Sequence, residues 1–439
     1  MHVLLISANT ERINIPTLPL GLAQVAAATE QAGHEVLLLN LMLEEDASGA
    51  IERATGSSRP GLIGISVRNI DDQTMEAPRF LLEPVREVVR VCREQCPNAP
   101  IIVGGAGYSI FPEAALAYLD GDVGVRGEGE AVFPAVVSRV ERGEDVRDLP
   151  GVYLPVSRGL KSCATNGSMS CATNDPVSTT RAAPAFEREL DLFPFPDPAR
   201  WLALAPPDSW VPVQSRRGCP LDCSYCSTAS IEGRRVRRRS PRLVARELAR
   251  ARAAGFRRFY FVDNTFNLPE SHARRLCDEI ARLDLDIEWR CIIYPRALST
   301  DLVRAMQRAG CVETSVGFES GNDTMLRALN KRFDTAAVRV TCARLADHAI
   351  RRDGFLLLGG PGETKQSIDE SVAFADSLRL ETLKITLGIR IYPGTPLHRT
   401  ALAEGVVSPD DDLLFPRFYL ARGLEGVSAG MESRGVWQG

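Results

Sequence analysis

The chain of 439 residues contains no apolar run of the roughly 18 to 20 residues that a membrane span requires. Its first residues, MHVLLISANT, lack the basic start and the cleavage site of a secretory signal, so we expect a cytoplasmic protein. The formal net charge is only −4, which gives no reason to expect nucleic-acid binding. The hydrophobic fraction of 44% fits a soluble globular enzyme.

Histidine is scarce, with five in the chain, and the eleven cysteines do not form the two separated pairs that structural zinc sites usually use. A disulfide framework belongs to small secreted domains, and this chain is far longer than those. The cysteines are therefore interpreted as reduced thiols, some of which bind a metal cluster.

Three cysteines stand close together within the segment RGCPLDCSYCS, namely Cys219, Cys223 and Cys226. They follow a strand-like run at 210–214. Three thiolates on a tight loop suit a [4Fe-4S] cluster that lacks a fourth protein ligand, and the open iron can then bind a substrate or cofactor. Zinc is the alternative metal, and three unrelated buried cysteines are the alternative without one.

The first half of the chain alternates short apolar runs with helical patterns. Strands are predicted at 3–7, 35–40, 62–67, 101–104 and 122–126, with helices such as 19–32 and 83–95 between them. Such alternation indicates a doubly wound parallel sheet, which binds ligands at the carboxyl ends of its strands. Glycine and polar residues gather in the loops at those ends. The candidate ligand-binding residues are Ser66, Asn69, Gly104, Gly105, Gly107, Gly127, Glu128 and Gly129.

The second half shows six further strand and helix units. Strands are predicted at 210–214, 258–263, 287–293, 313–318, 352–358 and 384–391, and helices at 241–254, 269–283, 300–309, 335–348 and 364–378. Six such units suit a partial barrel whose chemistry lies at the carboxyl ends of the strands. The cysteine loop follows the first of these strands, in the place where a barrel carries its active site.

We divide the chain into a first domain at 1–148, a linker at 149–205, a barrel at 206–400 and a tail at 401–439. The linker is rich in serine, threonine, asparagine and proline, and it repeats a short motif that contains Cys163 and Cys171. A basic run follows the cysteine loop and has two interpretations, a solvated face or a guide for charged ligands. Its members are Arg234, Arg235, Arg237, Arg238 and Arg239.

The cysteine spacing, with the aromatic Tyr225 beside the last cysteine, resembles the signature of the radical S-adenosylmethionine superfamily. The segments PTLPLGLAQVAAATEQAGHEV, GGAGYSIFPEAAL and RGEGE resemble the cobalamin-binding domain fused in front of many of these enzymes. The resemblance implies a Rossmann-like α/β domain followed by a (β/α)6 partial barrel. It also implies three cofactors: a [4Fe-4S] cluster, S-adenosylmethionine and cobalamin.

The chain departs from the wider cobalamin-binding fold in one respect. In that fold the histidine of an Asp-x-His-x-x-Gly loop binds cobalt, and this loop is absent here. Only His2 and His34 lie in the first domain, and His34 opens a predicted strand. If cobalamin binds, we expect no histidine beneath its cobalt. A relic of the domain that binds no cobalamin is the alternative.

The resemblance also implies roles for polar residues at the other strand ends. In FVDNTFN, Asp263 and Asn264 match the motif that contacts the amino group of S-adenosylmethionine, and in VGFESGND, Glu319 and Ser320 match contacts to the ribose or its neighbours. Contacts to the adenosyl group are implied for Gly359, Gly360, Pro361, Gly362, Ile391 and Tyr392, with Tyr225 beside the cluster.

The first functional hypothesis is a cobalamin-dependent methyltransferase that acts on an unactivated carbon, or on phosphorus, of a metabolite. The second keeps the same cofactors but predicts rearrangement or cyclisation without methyl transfer, and the third is a sensor of cofactor or redox state. The family resemblance implies a natural-product or other small-molecule substrate and an external one-electron donor such as flavodoxin or ferredoxin. The sequence does not distinguish a secondary metabolite, a lipid and a modified peptide as substrate.

Overall fold

The computed structural model describes residues 1–11, 18–155, 183–184, 186–205, 209–296 and 298–427. Two six-stranded sheets covered by helices make up most of this part of the chain. Within it, no helix is both long enough and apolar enough to cross a membrane. The repeated motif with Cys163 and Cys171 lies outside the described residues.

The first sheet is doubly wound. Its strands are β1 His2–Ser7, β2 Glu35–Asn40, β3 Leu62–Ser66, β4 Ile101–Gly104, β5 Val123–Val125 and β6 Val152–Tyr153. They lie in the order β2-β1-β3-β4-β5-β6, and all pairs are parallel except that of β5 with β6. The strand order reverses between β1 and β3, and the crevice outside the carboxyl ends of two such strands is where open sheets bind ligands.

Six helices cover the first sheet: α1 Leu20–Gln31, α2 Ala47–Ser58, α3 Leu82–Gln95, α4 Ala106–Ile110, α5 Pro112–Leu119 and α6 Gly129–Arg142. The apolar side chains of β1 and β3 are almost completely buried, which explains why both read as continuous hydrophobic runs. A short helix, α7 Pro198–Leu204, leads to the second sheet.

The second sheet is wholly parallel, and its strands follow one another in chain order: β7 Trp210–Val213, β10 Arg258–Phe261, β11 Glu288–Ile293, β12 Cys311–Glu319, β13 Arg351–Leu358 and β14 Thr382–Leu387. Two short strands, β8 Arg216–Arg217 and β9 Arg237–Arg238, pair with each other after β7. In the described residues β7 and β14 are not paired, so the barrel is open. The predicted pair of domains, a doubly wound sheet and a partial barrel, is confirmed.

The helices around the barrel are α8 Thr228–Glu232, α9 Pro241–Ala253, α10 Glu270–Arg282, α11 Thr300–Arg308, α12 Asp323–Ala328, α13 Thr335–Ala346, α14 Lys365–Ser377 and α15 Pro396–Ala403. Several begin at a polar cap. Ser240 accepts a hydrogen bond from the Leu243 N–H, and Asp334 accepts one from the Ala337 N–H. Such caps satisfy amide groups that have no partner within the helix.

Two predicted boundaries are wrong. The sixth barrel strand, predicted at 384–391, ends at Leu387, because Gly388 has φ +81° and a Cβ there would lie 2.3 Å from the Met75 sulfur. The chain then forms β15 Ile389–Arg390, which pairs with β16 Phe418–Tyr419 from the predicted tail. The first sheet also continues into the predicted linker, since β6 lies beyond residue 148.

Candidate active site

A cavity of about 480 Å³ lies between the two sheets. The first domain contributes the carboxyl ends of its central strands, including Ser7, Ser66 and Gly104. The barrel contributes Gln214 after β7 and Asn264 after β10. The cavity therefore lies between the ligand-binding edge of the first sheet and the loops at the carboxyl ends of the barrel strands.

Six of the eight residues predicted for the first domain line this cavity: Ser66, Gly104, Gly105, Gly127, Glu128 and Gly129. Gly105 has φ +107°, and a Cβ there would lie 2.5 Å from the carbonyl oxygen of Val67, so only glycine fits. The two other residues do not reach the cavity. Gly107 packs against the backbone of Arg68 and Asn69, and Asn69 lines a smaller neighbouring pocket.

Glu128 lines the cavity, but its carboxylate is held by protein. It pairs with Arg237 at 2.5 Å and with Arg217 at 3.2 Å, and all three side chains are almost fully buried. Its other oxygen accepts a hydrogen bond from the Glu187 N–H at 2.7 Å. Two buried guanidinium groups of the barrel thus require a carboxylate here, and the predicted contact of Glu128 with a ligand stays a prediction.

The basic run after the cysteine loop is interpreted from the sequence either as a solvated face or as a guide for charged ligands. Neither interpretation applies to all of its members. It enters β9, where successive side chains alternate between inside and outside, so Arg237 and Arg239 are buried while Arg238 is exposed. Arg239 stacks on Phe195 with 4.1 Å between the guanidinium carbon and the ring centroid, and burial lowers its pKa to about 10. Arg237 and Arg239 are thus structural residues of the domain interface.

No histidine lines the cavity in the described part of the chain. His34 lies at the start of β2, with its Nε2 3.0 Å from the Ser138 hydroxyl and its Nδ1 3.7 Å from Glu141. Burial lowers its pKa, the charge of the amino terminus lowers it further, and Glu141 opposes both. This position is at the amino end of the strands, whereas the cavity lies at their carboxyl ends.

We predict that cobalamin in this cavity has no nitrogen ligand from histidine below its cobalt. Spin resonance of the Co(II) form should lack hyperfine splitting from an axial nitrogen, and His34→Ala should leave the spectrum unchanged. A nitrogen splitting that disappears in His34→Ala would contradict this prediction.

The three predicted cluster cysteines lie on the loop between β8 and α8. The Cys219 N–H donates to the Gly233 carbonyl at 3.1 Å and the Cys226 N–H to the Cys223 carbonyl at 3.2 Å, so both ends of the loop are fixed. Burial raises the pKa of the Cys219 and Cys223 thiols. The loop thus holds three soft donors at the carboxyl end of the barrel.

In the described residues no three Cys, His, Asp or Glu side chains converge closely enough to bind a single metal ion. Zinc gathers its ligands around one ion. A [4Fe-4S] cluster does not require such convergence, because each thiolate binds a different iron. The donor set therefore fits a cluster.

A buried lysine that the sequence analysis missed links the cluster loop to β12. The Lys331 Nζ donates to the Tyr225 hydroxyl at 2.9 Å and to Glu319 Oε1 at 3.2 Å. Burial would lower the pKa of Lys331, but the charge of Glu319, followed by Tyr225 and Cys223, raises it well above 10.5. Two predicted residues, Tyr225 and Glu319, are thus brought together by a lysine that no local pattern singled out.

Asp263 joins the ends of two neighbouring barrel strands. Its carboxylate is fully buried and accepts hydrogen bonds from the Ser215 N–H at 2.8 Å, the Ser215 hydroxyl at 2.5 Å and the Arg216 N–H at 3.1 Å. These bonds fasten the backbone after β7 to the end of β10. In this structure its oxygen atoms are engaged by the protein, and the contact to the amino group of S-adenosylmethionine stays a prediction.

The buried Asp263 carboxyl predicts a pH effect. Burial raises its pKa to about 6, although Ser215 and Arg216 oppose the shift. A raised folded pKa means that this stability contribution is present below the ordinary value of 3.8 and is lost as pH rises through 6. Between pH 5 and pH 7 the wild-type protein should lose about 1 kcal/mol of unfolding free energy relative to Asp263→Asn. Anaerobic urea unfolding of both proteins measures this, and equal pH slopes would contradict it.

Of the other residues predicted to contact S-adenosylmethionine, some are buried in the barrel core and others face the cavity or the first domain. The Ser320 hydroxyl is buried 3.0 Å from that of Ser371, and Ile391 is fully buried in the core. Asn264 lines the cavity, and its amide donates to Glu232 at 2.7 Å. The Tyr392 hydroxyl accepts a hydrogen bond from Gln73 of the first domain at 3.0 Å.

The loop after β13 contains the predicted Gly359, Gly360, Pro361 and Gly362. The amides of the first two glycines donate to Glu363 Oε2, at 2.5 and 3.0 Å. A Cβ at Gly359 would lie 2.8 Å from Leu420, while one at Gly362 would meet nothing. The outer half of this loop, Pro361 and Gly362, is thus the half that remains accessible.

Together, the cysteine loop of an open barrel and the glycine-lined edge of a doubly wound sheet define a two-domain cofactor enzyme. A model of the radical SAM superfamily matches residues 213–375, and a model of the B12 binding domain matches residues 7–137.

Known proteins resemble the chain over most of its length. An uncharacterized methyltransferase of Pyrococcus horikoshii is 25% identical over 402 residues, covering 89% of this chain and 79% of that protein. A tryptophan 2-C-methyltransferase of Streptomyces laurentii is 24% identical, covering 90% and 74%. The solved structure of the radical SAM methyltransferase TsrM from Kitasatospora setae, with tryptophan and a SAM analogue bound, matches with a TM-score of 0.84 at 20% identity, covering 100% and 89%.

The chain belongs to the cobalamin-binding radical SAM enzymes, as the sequence predicted. The predicted S-adenosylmethionine and cobalamin are the cofactors after which the two matched domains are named.

Proposed function

We propose that this enzyme is a cobalamin-dependent methyltransferase that acts on an unactivated carbon, or on phosphorus, of a small molecule. The cavity supports this most directly, because one space is lined both by the ligand edge of the first sheet and by the barrel loops on either side of the cysteines. The similarity to proteins named as methyltransferases over about nine-tenths of the chain favours methyl transfer.

In this proposal Cys219, Cys223 and Cys226 bind the [4Fe-4S] cluster, and the cavity holds cobalamin. Bound together, these cofactors supply one-electron cleavage of S-adenosylmethionine and transfer of its methyl group. The protein contributes position and exclusion of water. Apolar side chains such as Leu18, Val25 and Ile231 form much of the cavity wall, so reactive groups there are shielded from solvent.

The proposed reaction uses two molecules of S-adenosylmethionine. One gives its methyl group and leaves as S-adenosylhomocysteine. The second accepts one electron from the external donor and yields methionine and 5'-deoxyadenosine, which carries the hydrogen removed from the substrate carbon. The external donor supplies one further electron per turnover, because the substrate radical and the methyl group, which leaves S-adenosylmethionine without its bonding electrons, need one more electron to form the new bond. Holding both partners in one cavity makes the encounter effectively intramolecular.

Turnover with a deuterated methyl donor tests the proposal. We expect the labelled methyl group in the product, together with both S-adenosylhomocysteine and 5'-deoxyadenosine. Candidate substrates come from the reactions encoded beside the gene, and a protein without the three cysteines is the control. Conversion of the substrate with 5'-deoxyadenosine alone and no label in the product would establish rearrangement or cyclisation instead.

A further inference from the structure

One arginine both lines the cavity and adjoins the cysteine loop. Arg217 lies in β8, is 6% exposed, lines the cavity and stands two residues before Cys219. We infer that Arg217 is a positioning residue that fixes the geometry between the cobalamin cavity and the cluster. This inference rests on the proposed function.

On the cavity side, Arg217 contacts the first domain through three side chains. Its Nη2 donates to Glu130 Oε1 at 2.5 Å and to Gln24 Oε1 at 3.0 Å, and its Nη1 donates to Glu128 Oε1 at 3.2 Å. Glu130 and Glu128 belong to the first turn and the cap of α6, next to the glycines predicted to face cobalamin. One planar guanidinium group thus fixes the loop at the end of β5 and helix α1 together.

On the cluster side, the same short segment is rigidly held. The Ser215 and Arg216 amides donate to the buried Asp263, and the Gly218 amide donates to Glu232 at 3.0 Å. Gly218 has φ +84°, and a Cβ there would lie 2.1 Å from a backbone carbonyl oxygen. The backbone on both sides of Arg217 is held by these hydrogen bonds. A displacement of the Arg217 side chain is therefore either resisted by this segment or transmitted along it to Cys219.

The charges in this network balance within the described residues. Arg217 and Arg237 face Glu128 and Glu130, and each of the four side chains is less than one-tenth exposed. Removal of one partner from such a group leaves an uncompensated buried charge. The test therefore needs a variant that removes the contacts while keeping the charge balanced.

Two variants provide the test: Arg217→Met, and Arg217→Met combined with Glu130→Gln. The control is Arg352→Met, since Arg352 on β13 is also buried and makes a two-point pair with Glu381, at 2.8 and 3.1 Å, far from either predicted cofactor loop. Each reconstituted protein is assayed for iron, for hydroxocobalamin affinity by absorbance titration, and for both nucleoside products after reduction without substrate.

Both Arg217 variants should keep about four irons per chain. Formation of S-adenosylhomocysteine should fall about 100-fold, because a misplacement near 1 Å has an effect of this size. Hydroxocobalamin should bind more weakly, and 5'-deoxyadenosine formation, which needs only the barrel, should change far less. Arg352→Met should alter neither product.

The inference is overturned if the two products decline in parallel in the charge-balanced double variant, or if its product ratio and cobalamin affinity both equal those of the wild type. Failure of the proposed function would look different. The wild-type protein would then form no S-adenosylhomocysteine, and the cobalamin titration alone would decide whether Arg217 positions the cavity.

Discussion

Replacement of Cys219, Cys223 and Cys226 together by alanine should abolish the charge-transfer absorbance of the cluster and all cleavage of S-adenosylmethionine. The three cysteines lie on one loop at the carboxyl end of the barrel, and each is expected to bind a different iron. Outside this loop, the described residues contain no group of three Cys, His, Asp or Glu side chains that could bind a metal ion in their place. Iron analysis and quantification of 5'-deoxyadenosine after anaerobic reconstitution measure both effects.

A matched control separates loss of the cluster from loss of buried thiols. Cys277, Cys291 and Cys311 are three buried cysteines of the barrel, and their replacement by alanine should alter packing while the cluster is kept. Retention of about four irons per chain in the Cys219, Cys223 and Cys226 variant would refute the assignment.

Lys331→Met should lower the free energy of unfolding by about 3 to 5 kcal/mol, the usual effect of removing one partner from a buried ion pair. The Lys331 and Glu319 side chains are only 5% and 14% exposed, so Glu319 would keep a charge that has lost its partner. Tyr225, between two cluster cysteines, would also lose a hydrogen bond. We expect the cluster to bind less well in this variant, as measured by iron content and by anaerobic urea unfolding.

The neighbouring Arg332→Met is a close control for this prediction. Arg332 pairs with Asp222 at 2.8 Å, but both side chains are largely exposed, so its removal should lower stability by less than about 1 kcal/mol. Lys331→Met combined with Glu319→Gln should recover part of the lost stability, because no buried charge then lacks a partner. Equal effects of Lys331→Met and Arg332→Met would contradict the prediction.

The sequence predicted those parts of the site that depend on local spacing. The three cysteines, the strand ends and the glycine loops all lie within short segments, and the period of apolar residues predicted most strands to within one or two positions. The side-chain directions at Asp263 and Ser320 were not predictable in this way. Whether a carboxylate faces a ligand or a neighbouring backbone amide depends on where Ser215 lies, and Ser215 is 48 positions away in the chain.

Long-range contacts also explain what the sequence analysis missed. Arg217 was one arginine among many, and its role is visible only once Glu130, 87 positions earlier, packs against it. The basic run illustrates the same limit, since β9 turns Arg237 inward towards Glu128 and leaves Arg238 outside. A charged residue can be predicted to be solvent-exposed only if it does not form a buried ion pair with a residue of another domain.

The contacts between the domains join residues that lie far apart in the chain, and this bears on the order of folding. Arg390 after β14 pairs with Asp71 at 2.7 Å across 319 positions, and Arg217 reaches Gln24 across 193. Contacts of such high sequence separation carry a large loop-closure entropy and form slowly. We therefore expect each sheet to fold separately during synthesis, and the set of contacts between them to be completed only after Arg390 has been made.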